Sequence, residues 1–260
     1  MAQRFAGRTR AVRRAWFEDE VLRTVTVGPF LMDRREVTHG EYRAFLEATG
    51  YPPPPDGIGD DAAQPDMPVL GVSLEDARAY AAWAGKRLPT VEEWAWAARG
   101  AERRLYPWGD EPPDGTRANY ADAGSGFPWR DLEHDDGHAG PAPVGRYPAG
   151  ATPRGLLDMA GNAREWTGTA RWGVTDTRTG HIWSLAQQDQ VPARLRSAPE
   201  IMYAVRGGAW NNAADDMRCS DERMLPPDTR HEALGFRCVL DVPPLDEARE
   251  PPGPRRQGDV

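Results

Sequence analysis

Apolar residues recur at helical spacing in three short stretches, and each stretch follows a capping signal. Thr38-His-Gly-Glu41 is a capping box, and the helix it opens places Tyr42, Phe45 and Leu46 on one face before Gly50 ends it. Ser73-Leu-Glu-Asp76 is a weaker N-cap signal. The helix after it carries Ala77, Tyr80, Ala81 and Ala84 at helical spacing, with Gly85 as its C-cap. Thr90-Val-Glu-Glu93 is a further capping box, and its helix presents Trp94, Ala97 and Ala98 before Gly100. The small residues on the second and third helices predict close packing against other elements.

Strand signals are shorter. Val21-Leu-Arg-Thr-Val-Thr-Val27 is rich in β-branched residues, and Phe30-Leu-Met32 extends the same pairing. Further strands are expected around Val205–Trp210, Met217–Ser220 and Gly235–Leu240. No period persists from Leu105 to Gly155, and residues 168 to 203 also read as irregular. A loop as long as Leu105–Gly155 inside one domain needs its own organiser, such as a bound metal. Residues 1–18 read as a flexible arm, 19–243 as one domain and 244–260 as a disordered tail.

Composition narrows the class. The chain has 260 residues, is 39% hydrophobic and contains ten tryptophans, enough for a core. Glycine (27) and proline (25) are abundant, which predicts many turns. The net charge of −8 argues against nucleic acid as a partner. No stretch is apolar enough for a membrane span. The start, with Arg4, Arg8, Arg10, Arg13 and Arg14, lacks the apolar core of a secretory signal, and a cytoplasmic location is expected.

Three motifs carry the strongest information. They are Gly155-Leu-Leu-Asp-Met-Ala-Gly-Asn-Ala-Arg-Glu-Trp166, Arg206-Gly-Gly-Ala-Trp-Asn-Asn212 and Leu234-Gly-Phe-Arg-Cys-Val239. Before them run Asp33-Arg-Arg-Glu-Val-Thr38, Ala79-Tyr-Ala-Ala-Trp-Ala-Gly-Lys-Arg-Leu-Pro-Thr90, Glu93-Trp94, Tyr106-Pro-Trp-Gly109 and Ala142-Pro-Val-Gly145. In this order, over roughly Val27 to Leu240, the chain resembles the formylglycine-generating enzyme (sulfatase-modifying factor) family. The resemblance implies an α+β, C-type-lectin-like fold with little regular structure and long loops tied by calcium.

The resemblance also implies two structural calcium sites. In the first, Asp158 and Glu165 give side-chain oxygens, and Gly161 and Ala163 give carbonyls. In the second, Asn119 and Asp136 give side-chain oxygens, and Tyr120 and His138 give carbonyls. Oxygen clusters of this kind suit a hard cation. Cys219 and Cys238 match family half-cystines whose partners map to Ala81 and Ala98, so both are expected to be reduced, buried thiols.

Family members that generate formylglycine use a pair of copper-binding cysteines. Here Asn212 stands at the first of those positions, Ala209 at a family serine and Arg164 at a pocket tryptophan, and Ala213–Met217 is a shortened stretch. An amide does not replace a soft thiolate for Cu(I), so copper chemistry is not expected. The cleft candidates are Arg164, Arg206, Trp210, Asn211, Asn212 and Asp215. Arg164 is suited to a carboxylate or phosphate, and Trp210 to stacking. An iron site built from His39, His134, His138, His181, His231 and nearby acids stays open. Cysteine-less relatives in secondary metabolism, including pyoverdine-maturation oxidases, imply an oxidase/oxygenase-type or metal-assisted enzyme acting on a small molecule or peptide. In ergothioneine-type sulfoxide synthases a related domain gives substrate-binding surface beside a helical iron-binding domain. The other readings are a non-catalytic binding module and a scaffold.

Overall fold

Among the described residues, each of the three α-helices begins with a reciprocal capping box. The computed structural model describes residues 24–55, 64–176, 181–184, 191 and 200–242. Helix α1 (His39–Thr49) is capped by Thr38 and Glu41, and Gly50 closes it with a left-handed φ of 67°. Helix α2 (Leu74–Trp83) uses Ser73 and Asp76 in the same way. It ends one residue earlier than expected, with Ala84 as the cap and Gly85 taking the positive φ. Helix α3 (Val91–Arg99) is capped by Thr90 and Glu93. Glu93 also holds both terminal nitrogens of Arg87 at 2.7 Å.

Strand β1 (Phe30–Met32) pairs antiparallel with β7 (Val239–Asp241). The larger sheet has the order β3-β2-β4-β5, with β2 at Arg164–Asp176, β3 at His181–Ser184, β4 at Glu200–Arg206 and β5 at Glu222–Leu225. Strand β6 (Leu234–Gly235) runs parallel to the start of β2. Strand β3 lies against the far end of β2.

Several expectations are corrected. Thr24–Val27 form no strand, because β-branched composition supplies propensity but not a partner, and pairing with β7 starts only at Phe30. Part of 168–203 is regular rather than irregular, since β2 and β4 pair across it. The ladder register shifts between Trp166 and Ala170, a bulge around Gly168 that breaks the alternation a reader looks for. Strand β4 stops at Arg206, not Trp210, because Gly207 and Gly208 turn the chain with φ of 96° and 68°. Met217–Ser220 is not a strand. A 3-10 turn (Ala214–Met217) and a further turn occupy it. The expected Gly235–Leu240 strand is split, because the carbonyls of Phe236 and Cys238 bond instead to the amides of Val37 and Asp33. Residues 1–23 and 243–260, with the proposed arm and tail, lie outside the described residues.

The main core stacks α1 and α2 on the sheet through Tyr42, Phe45, Tyr80, Trp166 and Phe236. Tyr42 and Tyr80 stack 5.7 Å apart, and Phe236 meets Tyr80 edge-on at 5.4 Å. Burying each such ring contributes about 1.5–3 kcal/mol. A second cluster gathers Trp94, Ala97, Ala98, Met159 and Cys219. A third, around Tyr106, Tyr120, Ala160 and Met217, anchors the long loops.

Candidate functional site

The segment from Asp158 to Glu165 turns sharply before entering β2. Asp158, Gly161 and Asn162 have positive φ of 54°, 85° and 59°. Gly161 cannot carry a side chain, because a Cβ would lie 2.1 Å from the Asn119 carbonyl oxygen. Its amide donates to Gly207 O at 2.8 Å, and the Asn162 amide donates to Asn119 O at 2.9 Å. Asn162 pays for its strained backbone with four bonds. Its Oδ1 accepts from the Ala142 amide, its Nδ2 donates to Glu36, and its carbonyl accepts from the Trp210 amide. One turn therefore positions both proposed calcium sites and the cleft.

The first calcium set meets a buried charge cluster. Glu165 is fully buried, and both of its oxygens are occupied. Arg237 donates to them at 2.7–3.0 Å, and the Trp94 indole donates at 2.7 Å. Burial alone would lower the Arg237 pKa, but the Glu165 charge keeps it above its ordinary value. Asp158 accepts from the Gly145 amide at 2.5 Å, and its main-chain carbonyl accepts from Arg237. The sequence reading missed Glu36, which is buried beside Asp158. Burial, then the Asp158 charge, push the Glu36 pKa well above the carboxylate range. Burial raises Asp158 as well, with a hydrogen bond from Glu36 among the opposing effects. Glu36 Oε2 faces no donor.

At the second set, Asn119 is buried and its Oδ1 has no hydrogen-bond partner. Its Nδ2 donates to Gly140 O at 2.9 Å. The Asp136 carboxylate accepts from the Tyr120 amide at 3.3 Å and the His138 amide at 2.8 Å, so two other residues of the set bond to this acid. Burial, with the Asp122 and Asp135 charges added, pushes the Asp136 pKa up to about 7. An orphaned amide oxygen beside a desolvated carboxylate suits a hard cation.

The cleft lies where β4 turns back over β2. Arg206 is 8% exposed and serves the loop, not the opening. It donates to the carbonyls of Cys219, Ser220 and Asp221 and to Glu222. Arg164 is neutralised by Asp221 at 2.8 Å and donates to Asn212 Oδ1 at 3.0 Å. It is therefore not the open anion anchor its position implied. Asn212 also ties the loop above, because its carbonyl accepts from the Ala121 amide. Asn211 O accepts from the Trp129 indole at 3.0 Å, and Trp210 donates to Glu232 O. Asp215 is half-buried, and burial raises its pKa.

Cys219 and Cys238 are free and buried. Cys238 shares the main core with Ala81, and Cys219 shares the second cluster with Ala98. Burial pushes the Cys219 thiol up to about 12 and Cys238 higher still. Both are inert packing groups at neutral pH. His134 Nδ1 pairs with Asp131 at 2.7 Å, and Asp131 also accepts from the Tyr120 hydroxyl. Among the described residues no group of three or more His, Cys, Asp or Glu is arranged to hold a metal. None of the described helices is long and apolar enough to cross a membrane.

Short helices against small sheets, with long loops folded over a Gly-Asn turn, define the formylglycine-generating, C-type-lectin-like class of fold. A model of the sulfatase-modifying factor enzyme 1-like domain matches residues 5–242, and the chain belongs to that family. It is a cysteine-poor member, with Cys219 and Cys238 alone. It is 33% identical over 264 residues to hercynine oxygenase of Mycolicibacterium thermoresistibile, covering 88% of this chain and 54% of that protein. The chain thus spans about half the length of that relative. It is 31% identical to the formylglycine-generating enzyme of Mycobacterium tuberculosis, covering 86% of this chain and 91% of that one. Among solved structures, PvdO from Pseudomonas aeruginosa superposes with a TM-score of 0.59 at 24% identity, over 86% of this chain and 88% of PvdO.

Proposed function

We propose that this chain is an enzyme of the family with altered chemistry. It modifies a small molecule or peptide by an oxidase- or oxygenase-type or metal-assisted reaction, and it does not generate formylglycine on copper. One observation carries the reading. At the first thiolate position Asn212 accepts from Arg164, which is itself paired with Asp221, while both thiols of the chain are buried in core clusters with raised pKa values. A soft metal finds no sulfur donor there. The relatedness to hercynine oxygenase, over half of that protein's length, supports an oxygen-dependent reaction.

Calcium belongs to the same reading, as a structural ion. Asn119 Oδ1 and Asp136, with the carbonyls of Tyr120 and His138, would hold one ion. For the other, Asp158 and Glu36 offer oxygens that Arg237 does not occupy, with Gly161 and Ala163 supplying carbonyls. Glu165 orders that site through Arg237 rather than by an open oxygen.

The test is dioxygen uptake by the purified chain with amine, thiol and phenol substrates, together with elemental analysis of protein prepared without added metal. Substrate-dependent uptake with no bound copper is the expected result. Formylglycine formation on a cysteine peptide overturns the reading. The second reading, a binding module, is favoured by the exposed tryptophan beside Asn211, Trp129. No uptake with any substrate, combined with tight binding of a macromolecular partner, decides for it.

A further inference from the structure

Phe127, Trp129 and Trp210 form a continuous aromatic cluster beside Asn211 and Asn212. Phe127 and Trp129 stack with ring centres 5.0 Å apart and planes 16° apart. Trp210 meets Phe127 at 5.7 Å, tilted by 50°. Trp129 is 55% exposed despite its size. Exposed aromatic area of this kind is costly to leave in water, and grouped rings usually mark a contact site.

The rings are held in place. The Trp129 indole N–H donates to Asn211 O and the Trp210 indole N–H to Glu232 O. Arg130 ties down the Phe127 carbonyl through both its amide and its guanidinium. The Asp131 amide donates to Ala121 O, and the Ala121 amide donates to Asn212 O at 2.8 Å. The ring-bearing loop is therefore pinned to the residue that replaces the family thiolate. Little ordering is left for a ligand to impose.

This geometry also selects a chemistry. With both indole N–H groups spent on carbonyls, the surface offers π faces and no hydrogen-bond donor. Arg164, the cation at the cleft floor, is already neutralised by Asp221. A flat ring finds a stacking surface on these three rings. We propose that Phe127, Trp129 and Trp210 form a stacking subsite for a planar aromatic group of the ligand. As a substrate subsite this rests on the enzyme reading above. As a binding site it does not.

The probes are N-acetyltyrosinamide and N-acetyltryptophanamide, with N-acetylleucinamide as the aliphatic control. Binding to the full chain is measured by calorimetry and by saturation-transfer NMR, for the wild type, W129A and W129F. Both aromatic amides bind about 2- to 10-fold tighter than the leucine amide, W129A removes that preference, and W129F keeps most of it. Circular dichroism and the melting temperature of W129A confirm that the fold is intact, as expected for an exposed loop residue. Equal affinity for all three amides, or an unchanged preference in W129A, overturns the subsite. So does a concentration-dependent dimer that W129A abolishes, because the surface is then an interface between copies. Aromatic binding through Trp129 without oxygen uptake leaves the subsite standing and removes the enzyme reading. Turnover that W129A leaves unchanged does the reverse.

Discussion

Replacing Arg237 by methionine should be among the most damaging single changes in the chain. Arg237 is fully buried and lies under the turn that shapes the site. Its guanidinium makes three contacts of 2.7–3.0 Å with Glu165 and donates to the carbonyls of Leu157 at 2.9 Å and Asp158 at 3.2 Å. It also reaches the carbonyls of Asp33 and Arg34 at 3.3 Å. R237M would leave Glu165 charged in the interior with only the Trp94 indole, and would strip donors from four carbonyls. Breaking one partner of a buried ion pair costs about 3–5 kcal/mol. The lost carbonyl contacts, two of them long at 3.3 Å, push this toward the upper end of that range. A total near 5 kcal/mol is a large part of a typical stability of about 5–15 kcal/mol. At about 2–4 °C per kcal/mol for a domain of this size, the melting temperature should fall by about 10–20 °C. Urea denaturation and a thermal melt both read this. The double variant E165Q/R237M should recover part of the loss, since the stranded charge is gone. A fall below about 1 kcal/mol in R237M would refute the claim that this pair holds the turn.

Three further outcomes follow from the same geometry. G161A should destabilise by about 2–5 kcal/mol, combining left-handed strain with a Cβ 2.1 Å from Asn119 O, and a melting temperature equal to wild type would contradict the close approach of the two loops. Calcium at 100 times its dissociation constant should stabilise the wild type by about 2.7 kcal/mol, about 5–10 °C, and N119A should lose much of this; identical melts in chelator and in calcium would remove both proposed sites. Burial alone would raise the Asp76 pKa, but hydrogen bonds from Arg230, the Ser73 amide and Tyr51 outweigh it and hold the carboxyl below its ordinary value. Its stabilisation is therefore complete above about pH 4 and lost as the pH falls through the lowered folded-state value. Melts from pH 5 to 2 should drop more steeply for wild type than for D76N, and parallel curves would argue against this pairing.

The helices were legible because capping is local: Thr38/Glu41, Ser73/Asp76 and Thr90/Glu93 each place donor and acceptor three residues apart. Strand β2 was not, since Gly168 and the shift between Trp166 and Ala170 erase the alternation that marks a strand. The fold and the Gly-Asn turn were readable through motif order. The chemistry inside those motifs was less so. Glu36 and Arg237 sit within recognised segments, yet their roles depend on distant partners, Asp158 for Glu36 at 122 positions and Glu165 for Arg237 at 72. The pairing of Arg164 with Asp221 depends on a contact 57 residues away that no local pattern encodes. Phe127 and Trp129 lie in an aperiodic loop, where only tertiary contact with Trp210 reveals their purpose.

Cys238 packs in the cluster that contains Ala81, and Cys219 in the one that contains Ala98, each as a free, buried thiol. Without a disulfide, which typically contributes about 2–5 kcal/mol to a domain, the fold rests on ion pairs and capping boxes, and above all on the buried Glu165–Arg237 pair beneath the Gly-Asn turn. Arg164 and Asn212 form a hydrogen-bonded pair that Asp221 neutralises. That pair supplies neither nucleophile nor soft ligand, so in the proposed reading selectivity falls to neighbouring surface such as the ring cluster of Phe127, Trp129 and Trp210.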